Sequence, residues 1–97
     1  MLDLTKINRD YQLKWFDGQV LHLPLPTQKT LVKIMNLEEI ADVEQQMEGL
    51  AAIIKEVLTN NRDNREFSEE DFAELDLYTI QVIMEDYIDY VYRQLGE

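Results

Sequence analysis

No cysteine occurs in this sequence. Disulfides, thiolate nucleophiles and sulfur-based metal sites are thereby excluded, and a reducing compartment is the natural one. Only one histidine is present, His22, so no site needing two imidazoles can form within one chain. The three glycines, Gly18, Gly49 and Gly96, lie far apart, which rules out a Gly-rich phosphate loop. Long apolar runs are missing too. The stretch "LYTIQVIM" after Asp76 falls well short of the ~20 residues a membrane-spanning helix needs. The opening "MLDLTKINRDYQLKW" has no apolar h-region, so no signal peptide is read there. These absences predict a cytoplasmic protein with no membrane contact.

Positive charge is also scarce. Nine Lys and Arg face twenty Asp and Glu, for a formal net charge of −11. The balance is uneven along the chain. Residues 1–36 set Lys6, Arg9, Lys14, Lys29 and Lys33 against Asp3, Asp10 and Asp17, which is +2; residues 37–97 come to −13. An acidic helical body repels phosphate backbones, so nucleic acid is not an expected partner. Acidic helix faces are usually only solvated; here they could also steer a basic protein toward the chain.

What is there suffices for one fold. With 97 residues, 45% of them hydrophobic, the chain can bury one modest core. We read residues 1–97 as a single domain: a loose arm over 1–10, a β-hairpin over 11–24 and a helical body over 26–97. "YQLKWF", "DG" and "QVLHLPL" read as strand, two-residue turn and strand, since Asp-Gly suits a type I′ turn. That register pairs Trp15 with Val20, Leu13 with His22 and Tyr11 with Pro24. It sets Tyr11, Leu13, Trp15, Val20 and His22 on one face, with Phe16, Leu21 and Leu23 on the other. Pro24 and Pro26 end the second strand. A helix begins at Pro26 or Thr27, with Leu31, Ile34 and Met35 inward and a break at Asn36–Leu37.

"LEEIADVEQQMEGLAAIIKEVL" predicts the next helix, with Ile40, Val43, Met47, Leu50, Ile54 and Val57 as its seam and Glu38 and Glu39 at its N-terminus. "TNNRDNRE" stops it. Ser68 then caps a short helix, with Phe67 and Phe72 as a hydrophobic staple, and Asp76 opens the last one. Ile80, Ile83, Met84, Tyr87, Ile88, Val91 and Leu95 form its apolar stripe, opposite Glu85, Asp86 and Asp89, and Gly96 stops it. The fold class is mainly α with a small N-terminal β-hairpin (α+β), three to four helices around one core. The hairpin's unpaired edge and the surplus of apolar faces predict self-association.

No catalytic constellation emerges. His22 lies in a strand with no acid–nucleophile pattern beside it, and Asp17 reads as a turn residue. The loop "NNRDNREFSEED" parses onto a calcium-binding EF-hand loop with Asn60 first, Arg62 third, Asn64 fifth, Arg65 sixth, Phe67 eighth and Asp71 twelfth. Arginines at a ligand position and at the turn glycine contradict calcium binding, leaving a polar loop that ends in a helix cap. We therefore expect no enzyme, no metal and no cofactor. The candidate protein-interaction residues are the aromatic and apolar ones that the faces cannot all bury: Trp15, Phe16, Leu21, Tyr87, Tyr90 and Tyr92.

The order of these features is itself informative. The "FDG" turn before "VLHLPLP", the helix start "PTQKTLVKI" and the loop and cap "LTNNRDNREFSEEDF" resemble the small tail assembly chaperones of long-tailed phages and prophages of Gram-positive bacteria. The resemblance runs from residue 11 to nearly the end of the chain. It implies a non-enzymatic accessory that binds the aggregation-prone tape measure protein and recruits major tail protein. Such a protein acts in the host bacterial cytoplasm and leaves before the virion matures. The family is often made in a short form and a frameshifted longer form. Two other readings stay open: a small phage structural or connector protein, and an acidic DNA mimic that occupies a host DNA-binding protein.

Overall fold

The computed structural model describes residues 1–4 and 10–95. Residues 5–9 of the arm expected over 1–10, and the stop expected at Gly96, lie outside the described residues. In chain order come β1 (Tyr11–Lys14), β2 (Val20–Leu23), α1 (Gln28–Leu37), α2 (Val43–Thr59), α3 (Glu69–Ala73) and α4 (Leu77–Gln94). The fold is mostly helical with a small antiparallel hairpin at its N-terminal end, as the sequence predicts.

The hairpin turns differently from expectation. Gly18 N–H donates to the Trp15 carbonyl at 2.9 Å, and Trp15 N–H donates to the Gln19 carbonyl at 2.8 Å. Phe16, Asp17 and Gly18 therefore form a three-residue loop, and of these only Gly18 takes a positive φ, +91°. A type I′ turn would force Asp17 into the left-handed region as well, where its Cβ is penalised. The longer loop asks this of the glycine alone. The register accordingly pairs Tyr11 with Leu23, Gln12 with His22, Leu13 with Leu21 and Lys14 with Val20.

A one-residue slip turns every β2 side chain over. Leu21 and Leu23, each 0% exposed, join Tyr11 and Leu13 on the inner face, while Val20 is exposed. His22 sides with Gln12 and Lys14. The sequence-based assignment of the second strand's faces is thus reversed.

Capping residues decide where the helices begin. Thr27 accepts the Thr30 N–H and opens α1, which continues through Asn36 and Leu37, where a break was expected. The break falls instead between Leu37 and Asp42, whose side chain accepts the N–H groups of Glu44 and Gln45. An Asp that satisfies two unpaired helix-end donors makes a stronger start than a pair of glutamates. Glu38 and Glu39 therefore follow α1 rather than open α2. Ile40 lies in the connection and Val43 is exposed.

Ser68 forms a reciprocal capping box with Asp71, and the Phe67 and Phe72 rings meet at 5.7 Å, as the staple requires. Asp76 caps α4 by accepting the Thr79 N–H at 2.7 Å.

The core gathers Ile53, Ile54, Val57 and Leu58 of α2 with Ile80, Ile83, Met84, Tyr87 and Val91 of α4. Ile34 and Leu37 close it from α1, and the hairpin adds Tyr11, Leu21 and Leu23. Gly49 makes room for the Leu37 side chain, since a Cβ there would lie 2.4 Å from Leu37 Cδ2 and that methyl would have to shift. Met35 and Leu95, expected to face inward, are exposed. On α1 the 100° step per residue puts Thr30 with Ile34 and Leu37, and the Thr30 hydroxyl donates to Glu56 Oε1 at 3.1 Å.

The α2–α3 loop holds the hairpin in place. Its organiser is Asn61, whose Nδ2 donates to the carbonyls of Leu58 (2.7 Å) and Arg65 (2.9 Å). Its Oδ1 accepts the N–H groups of Asp63 (3.1 Å) and Arg65 (2.9 Å), so this buried amide is fully satisfied. The loop then pairs with β2: Arg62 N–H donates to the His22 carbonyl at 2.8 Å, and His22 N–H to Asp63 Oδ2 at 2.6 Å. The outward backbone groups of His22 are thereby covered. The open edge invoked above for self-association is closed at that residue. Among the described residues, no helix is long and apolar enough to cross a membrane.

The register makes a sharp energetic prediction. Leu21→Ala should cost about 2–5 kcal/mol in urea unfolding, as a large-to-small change in a closed core. Val20→Ala should stay below about 1 kcal/mol. The reverse order would mean that β2 presents its other face to the helices.

Candidate protein-interaction surface

The hairpin tip is braced from beneath. Trp15 packs edge-on against Phe67, with centroids 5.1 Å apart, and Phe67 continues to Phe72. The Arg65 guanidinium lies 5.7 Å from the Trp15 ring centroid and 5.3 Å from that of Phe67. Its Nη1 also donates to Asp17 Oδ2 at 2.8 Å and to Gln19 Oε1 at 2.7 Å. One planar cation thus ties the turn to the ring stack. Lys55 stands 5.6 Å over Phe72 and pairs with Glu69 at the far end of the stack. The Gln19 N–H and then Arg65 hold the Asp17 carboxyl below the usual carboxylate range.

This bracing presents Phe16. Its ring meets Trp15 edge-on at 5.0 Å yet remains 74% exposed. A large apolar ring already fixed on a turn loses little freedom when a partner covers it. Phe16 is the most prominent exposed aromatic of the hairpin.

Three of the five tyrosines attach the hairpin to α4. Tyr87 is 1% exposed and its hydroxyl donates to the Pro24 carbonyl at 2.9 Å. Tyr11 donates to Asp86 Oδ2 at 2.6 Å, and Tyr90 to the Asp10 carbonyl at 3.1 Å. The Tyr11 ring stands 5.4 Å from Tyr87 and 5.5 Å from Tyr90. Burial first, and then the Asp86 carboxylate, push the Tyr11 pKa up; burial and then the Glu56 charge do so for Tyr87.

Of the six candidates from sequence, Leu21 and Tyr87 lie in the core. The register slip buries Leu21. Tyr87 has a backbone carbonyl within reach of its hydroxyl, so it can be buried at no polar cost. Trp15 and Tyr90 are half-buried, Phe16 is open, and Tyr92 is 39% exposed on the outer face of α4. Tyr78 and Val82 share that outer face, spaced by helical turns from Tyr92. The sequence reads Arg65 only as a misfit in a calcium loop, and Phe67 as the eighth residue of that loop and as a staple. Their place under Trp15 depends on contacts across some fifty residues, which no local pattern announces.

An apolar groove of about 260 Å³ lies between α1, α2 and α4. Ile34, Leu37, Met47, Leu50, Met84 and Ile88 line it with apolar side chains. Glu38, Gln46, Gln81 and Glu85 contribute the polar part of its wall.

Polar chemistry centres on His22 and Asp63. Asp63 Oδ1 lies 3.0 Å from His22 Nδ1 while Oδ2 takes the His22 amide, so both carboxylate oxygens are engaged in seating the hairpin. The loop that parses as an EF-hand is spoken for by other contacts. Arg62 Nε donates to Asp10 Oδ1 at 2.6 Å, Arg65 braces the tip, and Asp71 closes its capping box. Among the described residues, no group of three or more His, Asp or Glu is placed to hold a metal ion.

The His22 amide N–H first, and then the imidazole, keep the Asp63 carboxyl below its ordinary range. A depressed carboxylate pKa stabilises the fold above the unfolded-state value of roughly 4 and loses that effect as pH falls below it. Asp63→Asn should therefore lower stability at pH 7, and the gap to the unaltered protein should close below about pH 4. Urea unfolding at pH 7 and pH 3 measures this, and a gap that stays constant would contradict it.

Comparison with protein-family models, with curated proteins and with solved structures finds no match for the chain.

Proposed function

We propose that this protein is a tail assembly chaperone, which binds another protein during phage tail morphogenesis and catalyses nothing. The observation that carries the reading is Phe16, 74% exposed on a turn braced by Trp15, Phe67 and Arg65. The chain as a whole is acidic, with a net charge of −11 whose excess of acid lies in residues 37–97. A protein that holds an aggregation-prone client needs accessible apolar area together with charge that resists coaggregation. The resemblance in sequence order supports the same reading and supplies the clients, tape measure protein and major tail protein. The host bacterial cytoplasm is the place of action. Exposed Val32, Met35, Tyr78 and Val82 leave further apolar area for a second copy, so self-association belongs to the proposal.

Co-expression with the cognate tape measure protein tests the reading. The chain should solubilise that protein and purify with it, and raising salt should weaken the complex only modestly, because apolar contact dominates. Phe16→Ala should raise the off-rate and cost on the order of 2 kcal/mol of binding, with an unchanged circular dichroism spectrum. If neither solubilisation nor a complex is obtained, the chaperone reading fails.

A further inference from the structure

We infer that the groove between α1, α2 and α4 receives an amphipathic helix of another protein, with apolar residues facing in and lysine or arginine on its flanks. The inference rests on the chaperone reading only in taking the occupant to be a protein.

The chemistry of the groove selects this occupant. Its lining residues come from three helices and the C-cap of α1, and none belongs to a strand whose edge an extended segment could join. Met47, half-buried on α2, and Met84, buried on α4, bring flexible thioethers to the groove from different helices. Such residues adapt to varied apolar partners. Residues at i, i+3, i+4 and i+7 of an incoming helix present a matching apolar stripe.

Charge decides the flanks. Glu38 stands at the C-terminal end of α1 and Glu85 on α4, and both face the groove. Neither makes an ion pair among the described residues. Four cations are engaged elsewhere: Arg62 with Asp10, Arg65 with Asp17, Lys55 with Glu69 and Lys33 with Glu56. Glu85 accepts only a long bond from Gln81, at 3.4 Å. The end of α1 adds partial negative charge, and Gln46 Nε2 bonds one of its carbonyls, that of Leu37, at 3.1 Å. An apolar floor beside unneutralised carboxylates and a helix C-terminus is complementary to a basic amphipathic helix. It repels an acidic one.

The test uses two synthetic peptides with identical apolar positions, one flanked by lysines and one by glutamates, titrated into the full chain. Methionine methyl signals report the site, because Met47 and Met84 line the groove whereas Met35 is exposed outside it. The lysine peptide should move Met47 and Met84 and leave Met35 in place. The glutamate peptide should bind at least about tenfold more weakly, and Glu38→Lys with Glu85→Lys should cost the lysine peptide a similar factor. Both substitutions are at exposed positions, and circular dichroism checks that the fold is kept.

Equal binding of the two peptides, movement of Met35 with Met47 and Met84 unmoved, or a groove filled by a second copy in sedimentation would each overturn the inference. Peptide binding without any tail-protein complex would leave the groove assignment standing and remove only the chaperone reading. A tail-protein complex with no peptide response would do the opposite.

Discussion

One residue in the left-handed region, Gly18, sets which side of the hairpin meets the helices. With φ at +91° it closes a three-residue loop, and the loop length fixes the register of Tyr11 with Leu23 and Leu13 with Leu21. Everything at the N-terminal end follows from that pairing. Leu21 and Leu23 enter the core, Val20 turns out, and the outward-facing backbone of His22 is left for the loop after α2 to satisfy. The same loop pushes Phe16 to the tip of the turn. The hydrophobic effect then stabilises the register in return, since a slip of one residue would exchange buried leucines for Val20 and His22.

The second constraint is the loop of Asn61–Arg65, which joins parts of the chain distant in sequence. Asn61 shapes it through a fully satisfied amide, and Asn64 takes φ +57°, a conformation asparagine tolerates better than most residues. Arg62 and Asp63 pair with β2, and Arg65 reaches past them to the turn and the Trp15 ring. The hairpin, marginal alone, is thus held on one side by this loop and on another by the hydroxyls of Tyr11, Tyr87 and Tyr90. Rigidity at the base is what leaves an apolar ring exposed at the tip in a defined place.

Much of this was legible in the sequence because it is local. Ser68 and Asp76 announce their helices through side-chain acceptors placed where helix-end donors need them, and the stripe from Ile80 to Val91 follows helical period. The failures share a different cause. Asp-Gly fits both a two-residue and a three-residue loop, and the choice depends on which leucines the helices can bury. Asp42 outcompeted Glu38 as a helix start because a short Asp reaches two N–H groups. Arg65 could not be assigned to Trp15 from sequence, because its role exists only once the hairpin and the loop meet. For the same reason Phe16 was legible as a candidate, whereas Leu21 and Tyr87 required the tertiary packing to be told apart from it.

The Phe16 tip and the methionine-containing groove are the two apolar features assigned to partners. Both depend on the hairpin and helices holding the arrangement described. The register can be measured directly. Gln12–His22 and Lys14–Val20 are the non-hydrogen-bonded pairs of this ladder, where Cα atoms lie only about 4.5 Å apart. Nuclear Overhauser spectra should show strong Hα–Hα cross-peaks between those partners. Cross-peaks linking Leu13 with His22 and Trp15 with Val20 instead would contradict the register, and with it the exposure of Phe16 on a braced three-residue turn.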